Sequence, residues 1–338
     1  MAKTPLIIDS TKTRSWMQCK RKYYYSYLSH LESAKSTALD LVYGSVVHEC
    51  LEFFENKMLA GHTKDDSLVE ALDHMGRLSE SWTTDPVFLN DTKKTRTTAI
   101  RLLIWYAEQF HEFGLDCPIK PVANEIPFRE SLRALVLASP FADQIDLTGI
   151  DDDMLVCGRL DSLVEGPSPG EFAVRERKTT GMALSRVYWA RYAPDIQVSL
   201  YSWVAKLLFP DLNIRGVLLE AFQVGAGFVR MERRFFERWP EQAIETVQSI
   251  VQAAREMDAA GIRGEVLPPA STFLMNEGCC MAGGMPCNFQ AICNEAPRLR
   301  KYFIADNFRP KKPWNPLDDM DPTMIASLSN RPKLHIHS

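Results

Sequence analysis

Glu176 and Lys178 stand two apart in Val174-Arg175-Glu176-Arg177-Lys178-Thr179, a run whose composition suits a strand. Residues two apart on a strand face the same way, so the carboxylate and the ammonium project together. Asp161, in Gly158-Arg159-Leu160-Asp161, precedes the turn sequence Gly166-Pro167-Ser168-Pro169-Gly170, and a hairpin through that turn brings it to the same spot. Neighbouring carboxylates repel unless a hard divalent cation lies between them. A lysine beside that cation can orient or deprotonate a water and neutralise charge on a phosphate. The trio reads as equipment for hydrolysing a phosphodiester by metal-activated water, with Mg²⁺ or Mn²⁺ as the ion. An E-x-K triplet on a surface hairpin is also common by chance, so other residues must support the reading.

Those residues lie on predicted helices. His48 falls in Gly44-Ser45-Val46-Val47-His48-Glu49, and Gln197 and Tyr201, four apart, share one face of the helix after the hairpin. Each alone would pass as ordinary helix packing. Near the N-terminus, Lys12, Arg14, Lys20, Arg21 and Lys22 are mixed with Trp16, Tyr23, Tyr24, Tyr25 and Tyr27. Cations pair with phosphates and rings stack on unpaired bases, which makes Lys20, Arg21, Lys22 and Tyr24 candidate DNA contacts. The alternative places the tyrosines in the core and the charges on a solvated face.

The elements that must position these groups follow from periodicity. Helices are predicted from Ser10 through Tyr27, from Ser36 through Phe53, over Asp66–Trp82 and over Thr92–Phe113. Strand-like runs follow at Val122–Phe128, Met154–Glu165 and Glu171–Thr179, with residues 129–153 as an insertion of mixed structure. A helix is expected over Asp195–Phe209, strands over Arg215–Val224 and Phe228–Phe236, and a long helix over Pro240–Ala260. Helices followed by a small sheet with a helix on it argue for an α/β core with an N-terminal helical elaboration.

The chain has 338 residues, 46% hydrophobic and 24% charged, with a net charge of −4. That is an ordinary globular composition, and the acidic balance does not exclude nucleic acid if the basic residues are grouped. No run approaches the roughly 18 apolar residues of a membrane span, and Met1–Ser10 lacks a signal-peptide core. The expectation is a cytoplasmic protein of a bacterium or a phage-infected cell, with no membrane partner. Among eight cysteines, Cys50, Cys117 and Cys157 sit singly in apolar patterns and read as buried hydrophobes. Cys279, Cys280, Cys287 and Cys293 cluster late, with Cys19 far upstream, and clustered cysteines in a reducing compartment more often bind metal than form disulfides. Zinc would usually show paired C-x₂-C knuckles, which are absent.

The order Gly44…His48, Gly158…Asp161, Glu176-x-Lys178-Thr179, Gln197…Tyr201 resembles the RecB-like branch of the PD-(D/E)XK nucleases, over about residues 10–300. Here Glu replaces the commoner Asp before x-Lys. The resemblance implies a central mixed β-sheet flanked by helices, a restriction-endonuclease-like core. It implies Asp161, Glu176 and His48 around the metal, Lys178 on the water, Gln197 and Tyr201 in support, and Glu125 nearby. One early and three late cysteines are similar to the layout of iron–sulfur nucleases of CRISPR adaptation and of phages. That implies a 4Fe–4S cluster on Cys19, Cys280, Cys287 and Cys293, with Cys279 as the rival for the second ligand. The expected protein is one elaborated nuclease domain over 1–308, with a helical part (about 10–115), a catalytic core (about 120–236) and a C-terminal helix and cysteine segment (about 237–303). Residues 309–338 are expected to be a poorly ordered tail. The expected activity is a DNA exonuclease on single-stranded ends. The alternative is a catalytically silent DNA-binding subunit with protein partners in recombination or CRISPR adaptation.

Overall fold

Amphipathic and β-branched segments form helices and a mixed sheet in the computed structural model, which describes residues 3–34, 39–111, 119–166, 168–282 and 286–313. Strand β1 (Leu6–Ile8) leads into helix α1 (Ser10–Gln18), the single turn α2 (Lys20–Tyr23), a π-helical turn (Tyr24–Leu28) and strand β2 (Leu31–Ser33). Helices α3 (Leu39–Leu59), α4 (Lys64–Leu78), α5 (Pro86–Leu89) and α6 (Arg96–Trp105) follow, the last running into a π-helical turn (Tyr106–His111). Strand β3 (Lys120–Ser131) and helix α7 (Leu132–Leu137) precede the hairpin β4 (Met154–Glu165) and β5 (Glu171–Thr180). Helices α8 (Arg186–Ala190) and α9 (Ile196–Leu208), strands β6 (Asn213–Gly225) and β7 (Phe228–Glu237) and helix α10 (Pro240–Ala259) come next. The described chain closes with α11 (Gln290–Asn294), α12 (Arg300–Asn307) and β8 (Phe308–Pro310).

These elements form two compact units, each assembled from separated stretches of sequence: Met1–Ser36, Pro127–Arg159 and Pro240–Ser338 in one, Thr37–Ile126 and Leu160–Trp239 in the other. In the first, β1 pairs parallel with the start of β4, Leu6 opposite Met154, and α10 packs on β1 and α1. Trp16 of α1 is buried edge-on to Tyr23 at 5.2 Å, and its indole donates to Glu256 of α10 at 3.0 Å.

The second unit holds the expected hairpin. Ser162 of β4 lies opposite Arg175 of β5 in an antiparallel pair. β5 then runs parallel to β6, and β6 antiparallel to β7. A parallel pair needs a crossover, which α9 supplies, packing on β6 and β5 with Val198 to Ala205 buried throughout. Helices α3, α4 and α6 bury Tyr43, Leu51, Phe54, Met75 and Leu102 in one core with Phe222 of β6. The mixed, helix-flanked sheet matches the architecture expected from sequence.

Three local expectations change. The first helix is capped by Asp9, whose carboxylate accepts from Lys12 N–H at 2.7 Å, and Ser10 is its first helical residue. That helix does not run on to Tyr27, because Cys19 adopts extended backbone (φ −161°, ψ 111°) between α1 and α2. The three-residue strands β1, β2 and β8 were not expected, being too short to show a period. Ser36, Cys117 and the tail from 314 onward lie outside the described residues. No helix among the described residues is long and apolar enough to cross a membrane.

Candidate active site

All the carboxylates, the lysine and the histidine singled out from sequence fall within the second unit. The paired register of the hairpin ends at Ser162–Arg175, with Asp161 and Glu176 each one residue beyond it. Period-two alternation then places Glu176 and Lys178 on one face of β5 and Arg175 and Arg177 on the other. The backbone N–H of Arg177 donates to Asp161 Oδ2 at 2.8 Å, fixing that carboxylate against the strand. His48 Nδ1 of α3 lies 3.6 Å from the same Oδ2. Gln197, at the start of α9, donates from Nε2 to Glu176 Oε1 at 2.8 Å, and the Lys178 ammonium bonds the same oxygen and lies 3.4 Å from Gln197 Oε1. Tyr201 is buried one turn further along α9.

Gly44 has a specific reason to be glycine. A Cβ there would come within 3.2 Å of Thr179 Oγ1, so its absence lets α3 approach β5 closely. His48, one turn on, is thereby carried to Asp161. Glu125 holds left-handed backbone inside β3 (φ 47°), and neighbouring Asn124 donates to Asn56 of α3 at 2.8 Å.

Electrostatics single out Glu176. Its side chain is almost wholly buried, and its Oε2 has no hydrogen-bond partner. Burial, and then the Asp161 charge, push its pKa up to about 8 against the pull of Lys178. Burial disfavours the Lys178 ammonium, but Glu176 and Asp161 outweigh it and hold its pKa above the usual lysine value. Two facing carboxylates, one with a buried unpartnered oxygen, fit a hard divalent cation. Among the described residues, however, no three or more His, Cys, Asp or Glu side chains are grouped so as to hold a metal ion as they stand. The Lys178 ammonium, turned onto Glu176, supplies the neutralising charge in this arrangement.

The opposite face of β5 carries a group that the sequence reading missed. Glu55 of α3 is fully buried and bound bidentately by Arg175, through Oε1 at 2.8 Å and through Oε2. Its Oε1 is also 2.6 Å from Arg177 Nη2 and accepts from the Tyr106 hydroxyl at 2.6 Å. Glu220 of β6 takes Arg177 Nε at 3.3 Å and Arg233 Nε at 2.7 Å. Burial opposes the Glu55 charge, yet Arg175 and Arg177 hold its carboxyl well below the usual range. Two signals were available: arginines at alternate positions of β5, and a glutamate two helical turns after His48.

The sequence of the chain matches the model of the PD-(D/E)XK nuclease superfamily over residues 10–294. The chain belongs to the PD-(D/E)XK nuclease superfamily. No curated protein matches it. Membership makes nuclease chemistry, with DNA as the substrate class and generally Mg²⁺ or Mn²⁺ as the ion, the activity of this fold.

The remaining candidates of this PD-(D/E)XK protein lie in the first unit. Lys20 pairs with Glu256 at 2.8 Å and lies 4.9 Å over the Trp16 ring. Arg21 is buried and donates to the Phe273 carbonyl at 2.8 Å, so it is turned into the fold rather than toward a phosphate. Lys22 is half-buried, Tyr24 packs on Phe273 at 5.0 Å, and Tyr23 and Tyr25 are core residues. Cys19, Cys279, Cys280, Cys287 and Cys293 carry free thiols. The Cys280 thiol is pushed up by burial and then by Cys287 and Cys19. That of Cys293 is raised by burial, with Cys19 and Cys287 adding and Arg21 and Arg300 opposing. Cys279 is engaged differently: its Sγ donates to the Gln18 carbonyl at 3.1 Å and lies 3.3 Å from Asn276 Nδ2. Cys50 and Cys157 are buried, as expected.

Proposed function

We propose that the chain is a Mg²⁺- or Mn²⁺-dependent DNA exonuclease acting on single-stranded ends, with Asp161, Glu176 and His48 as the ion's ligands. The observation that carries the reading is the buried, unpartnered Oε2 of Glu176 on the Asp161–Lys178 face. When bound, the ion supplies Lewis-acid stabilisation of the phosphate and lowers the pKa of water. The chain's own groups do the rest. Arg177 N–H and Gln197 Nε2 hold the two carboxylates in orientation. Lys178, whose ammonium bonds Glu176 Oε1 and lies 3.4 Å from Gln197 Oε1, would act on a non-bridging phosphate oxygen or on the attacking water. The preference for single-stranded ends follows from resemblance to the RecB-like branch.

The test is digestion of end-labelled single- and double-stranded DNA by wild type and Lys178→Ala, with Mg²⁺ or Mn²⁺. Metal-dependent cleavage that disappears in the variant supports the assignment, and the label reports end preference. Cleavage that persists removes Lys178 from the mechanism. Binding without cleavage by intact protein favours a catalytically silent subunit instead.

We also propose a 4Fe–4S cluster on Cys19, Cys280, Cys287 and Cys293. Its support is the layout of one early and three late cysteines together with the bond of the rival Cys279 Sγ to the Gln18 carbonyl. Among the described residues the four are not grouped as they stand, so seating a cluster would draw them together. Anaerobically purified protein should contain iron and acid-labile sulfide in equal amounts, lost in Cys287→Ser and retained in Cys279→Ser. Zinc in place of iron would overturn it.

A further inference from the structure

Immediately after the catalytic strand the chain runs through residues 181–194 as a largely exposed segment before entering α9. Arg186 and Arg191 on it are exposed, and neither pairs with a carboxylate among the described residues. In the same unit Arg175, Arg177, Arg215, Arg230 and Arg233 have glutamate partners, while Arg96, Arg101 and Arg238 bond backbone carbonyls. A solvated surface arginine is common, so exposure alone decides nothing. How Arg191 is held is more informative. Its guanidinium lies 5.5 Å over the Tyr188 ring and 5.8 Å over the Tyr192 ring, with Nη1 3.5 Å from Met182 Sδ. The two tyrosines bond through their hydroxyls at 3.2 Å, and Tyr188 is buried beneath the segment, its N–H accepted by the capping Ser185 hydroxyl.

Aromatic faces and a thioether therefore orient Arg191 without neutralising it. A guanidinium held that way keeps its planar fork of donors for a phosphate. Its position matters as much, because the segment leaves β5 at Thr180, two residues past Lys178, and enters α9 one residue before Gln197, whose Oε1 lies 3.4 Å from Lys178 Nζ. The segment thus carries uncompensated cations on an aromatic backing directly after the strand that bears Lys178. A nucleic-acid strand is held by such a row of cations beside the reacting phosphate, since phosphate contacts set register and orientation.

We infer that residues 181–194 form a strand-holding ridge, with Arg186 and Arg191 contacting backbone phosphates of a single nucleic-acid strand next to the one cleaved at Asp161, Glu176 and Lys178. This rests on the nuclease reading above, and it places phosphate contacts in the catalytic unit rather than on Lys20, Arg21 and Lys22.

The experiment compares wild type, Arg186→Gln/Arg191→Gln and Arg186→Lys/Arg191→Lys. It reads affinity for a single-stranded oligonucleotide in EDTA over a range of salt, and steady-state cleavage with Mg²⁺. Losing two phosphate contacts should lower the slope of log affinity against log salt by about 1.4, at ~0.7 per contact on a single strand. In cleavage KM should rise while kcat at saturating DNA stays within about twofold, the pattern of lost uniform binding. The lysine pair should keep the wild-type slope, and Arg77→Gln, whose guanidinium already pairs with Asp73, should match wild type throughout. Wild-type slope and KM in the glutamine pair, with cleavage normal, overturn the ridge and leave the nuclease standing. If the glutamine pair does not fold, a lysine pair with a lowered slope overturns it as well. Wild type that neither binds nor cuts DNA overturns the nuclease reading, and the ridge falls with it.

Discussion

Glu176 presents one oxygen to Gln197 and Lys178 and keeps the other buried without a partner. An ionised carboxylate in that setting is costly unless a proton or a cation compensates it. Glu176→Gln should therefore reduce metal-dependent cleavage to background while the protein stays folded, as read by gel assay beside circular dichroism. Gln197→Ala removes only an orienting bond, and a loss of about 10- to 100-fold in activity or Mg²⁺ affinity is expected. Gly44 offers a sharper test, because helix propensity and site geometry oppose each other there. Alanine in a helix is worth ~1 kcal/mol over glycine, so Gly44→Ala should hold or raise the melting temperature. Its Cβ would meet Thr179 Oγ1 at 3.2 Å, so activity should fall several-fold and recover when Thr179→Ala is added. Activity unchanged in the single variant would show that close approach of α3 to β5 is dispensable.

The β4–β5 hairpin is tied to α3 on both faces, through His48 and Asp161 on one and through Glu55, Arg175 and Arg177 on the other. Buried ion pairs seldom add net stability over apolar packing, but removing one partner leaves a charge uncompensated and costs about 3–5 kcal/mol. Glu55→Gln should destabilise the protein by that order in urea at neutral pH. The sign of the pH dependence follows from the direction of the shift. The folded carboxyl is depressed below its ordinary value of 4.5, so its contribution is full above that pH and is lost as pH falls toward the folded value. The stability gap between wild type and Glu55→Gln should be constant from pH 8 to about pH 5 and narrow below about pH 4. A gap independent of pH in that acid range would mean that the Glu55 charge is not what binds the two elements.

At the scale of the whole chain, cysteine chemistry separates into two kinds. Burial pushes the Cys50 and Cys157 thiols up to about 12, so they should resist alkylation in the native protein. Cys19, Cys279, Cys280, Cys287 and Cys293 are all partly exposed and should label first once any bound metal is removed. Mass spectrometry of the alkylated protein checks the order, and early labelling of Cys50 would contradict the packing of the α3 core. Cys19 and Cys287 are far apart in sequence, so a cluster joining them closes a long loop. Its loss should lower unfolding stability by a few kcal/mol, on the order of a long-loop cross-link.

Local chemistry was legible in the sequence because it is carried by spacing. Two-residue alternation put Glu176 beside Lys178, the proline- and glycine-rich turn made the hairpin, and four-residue spacing put Gln197 and Tyr201 on one helix face. Helix and strand positions followed from the same periods, except where elements are too short to have one, as in β1, β2 and β8. Which charges face inward was not legible. Arg21 and Arg175 look alike in composition to Arg186 and Arg191, yet the first two are buried against a carbonyl and a glutamate and the latter two are exposed. Burial of a charged group depends on partners that arrive from elements far away in sequence: Glu55 lies 120 residues before Arg175, and Phe273 lies 252 after Arg21. The sequence by itself determined the hairpin strands and the spacing of the proposed set along them, because both are local. Only the tertiary structure decided which cations build the core and which are left free, because compensating a charge is a property of the folded neighbourhood.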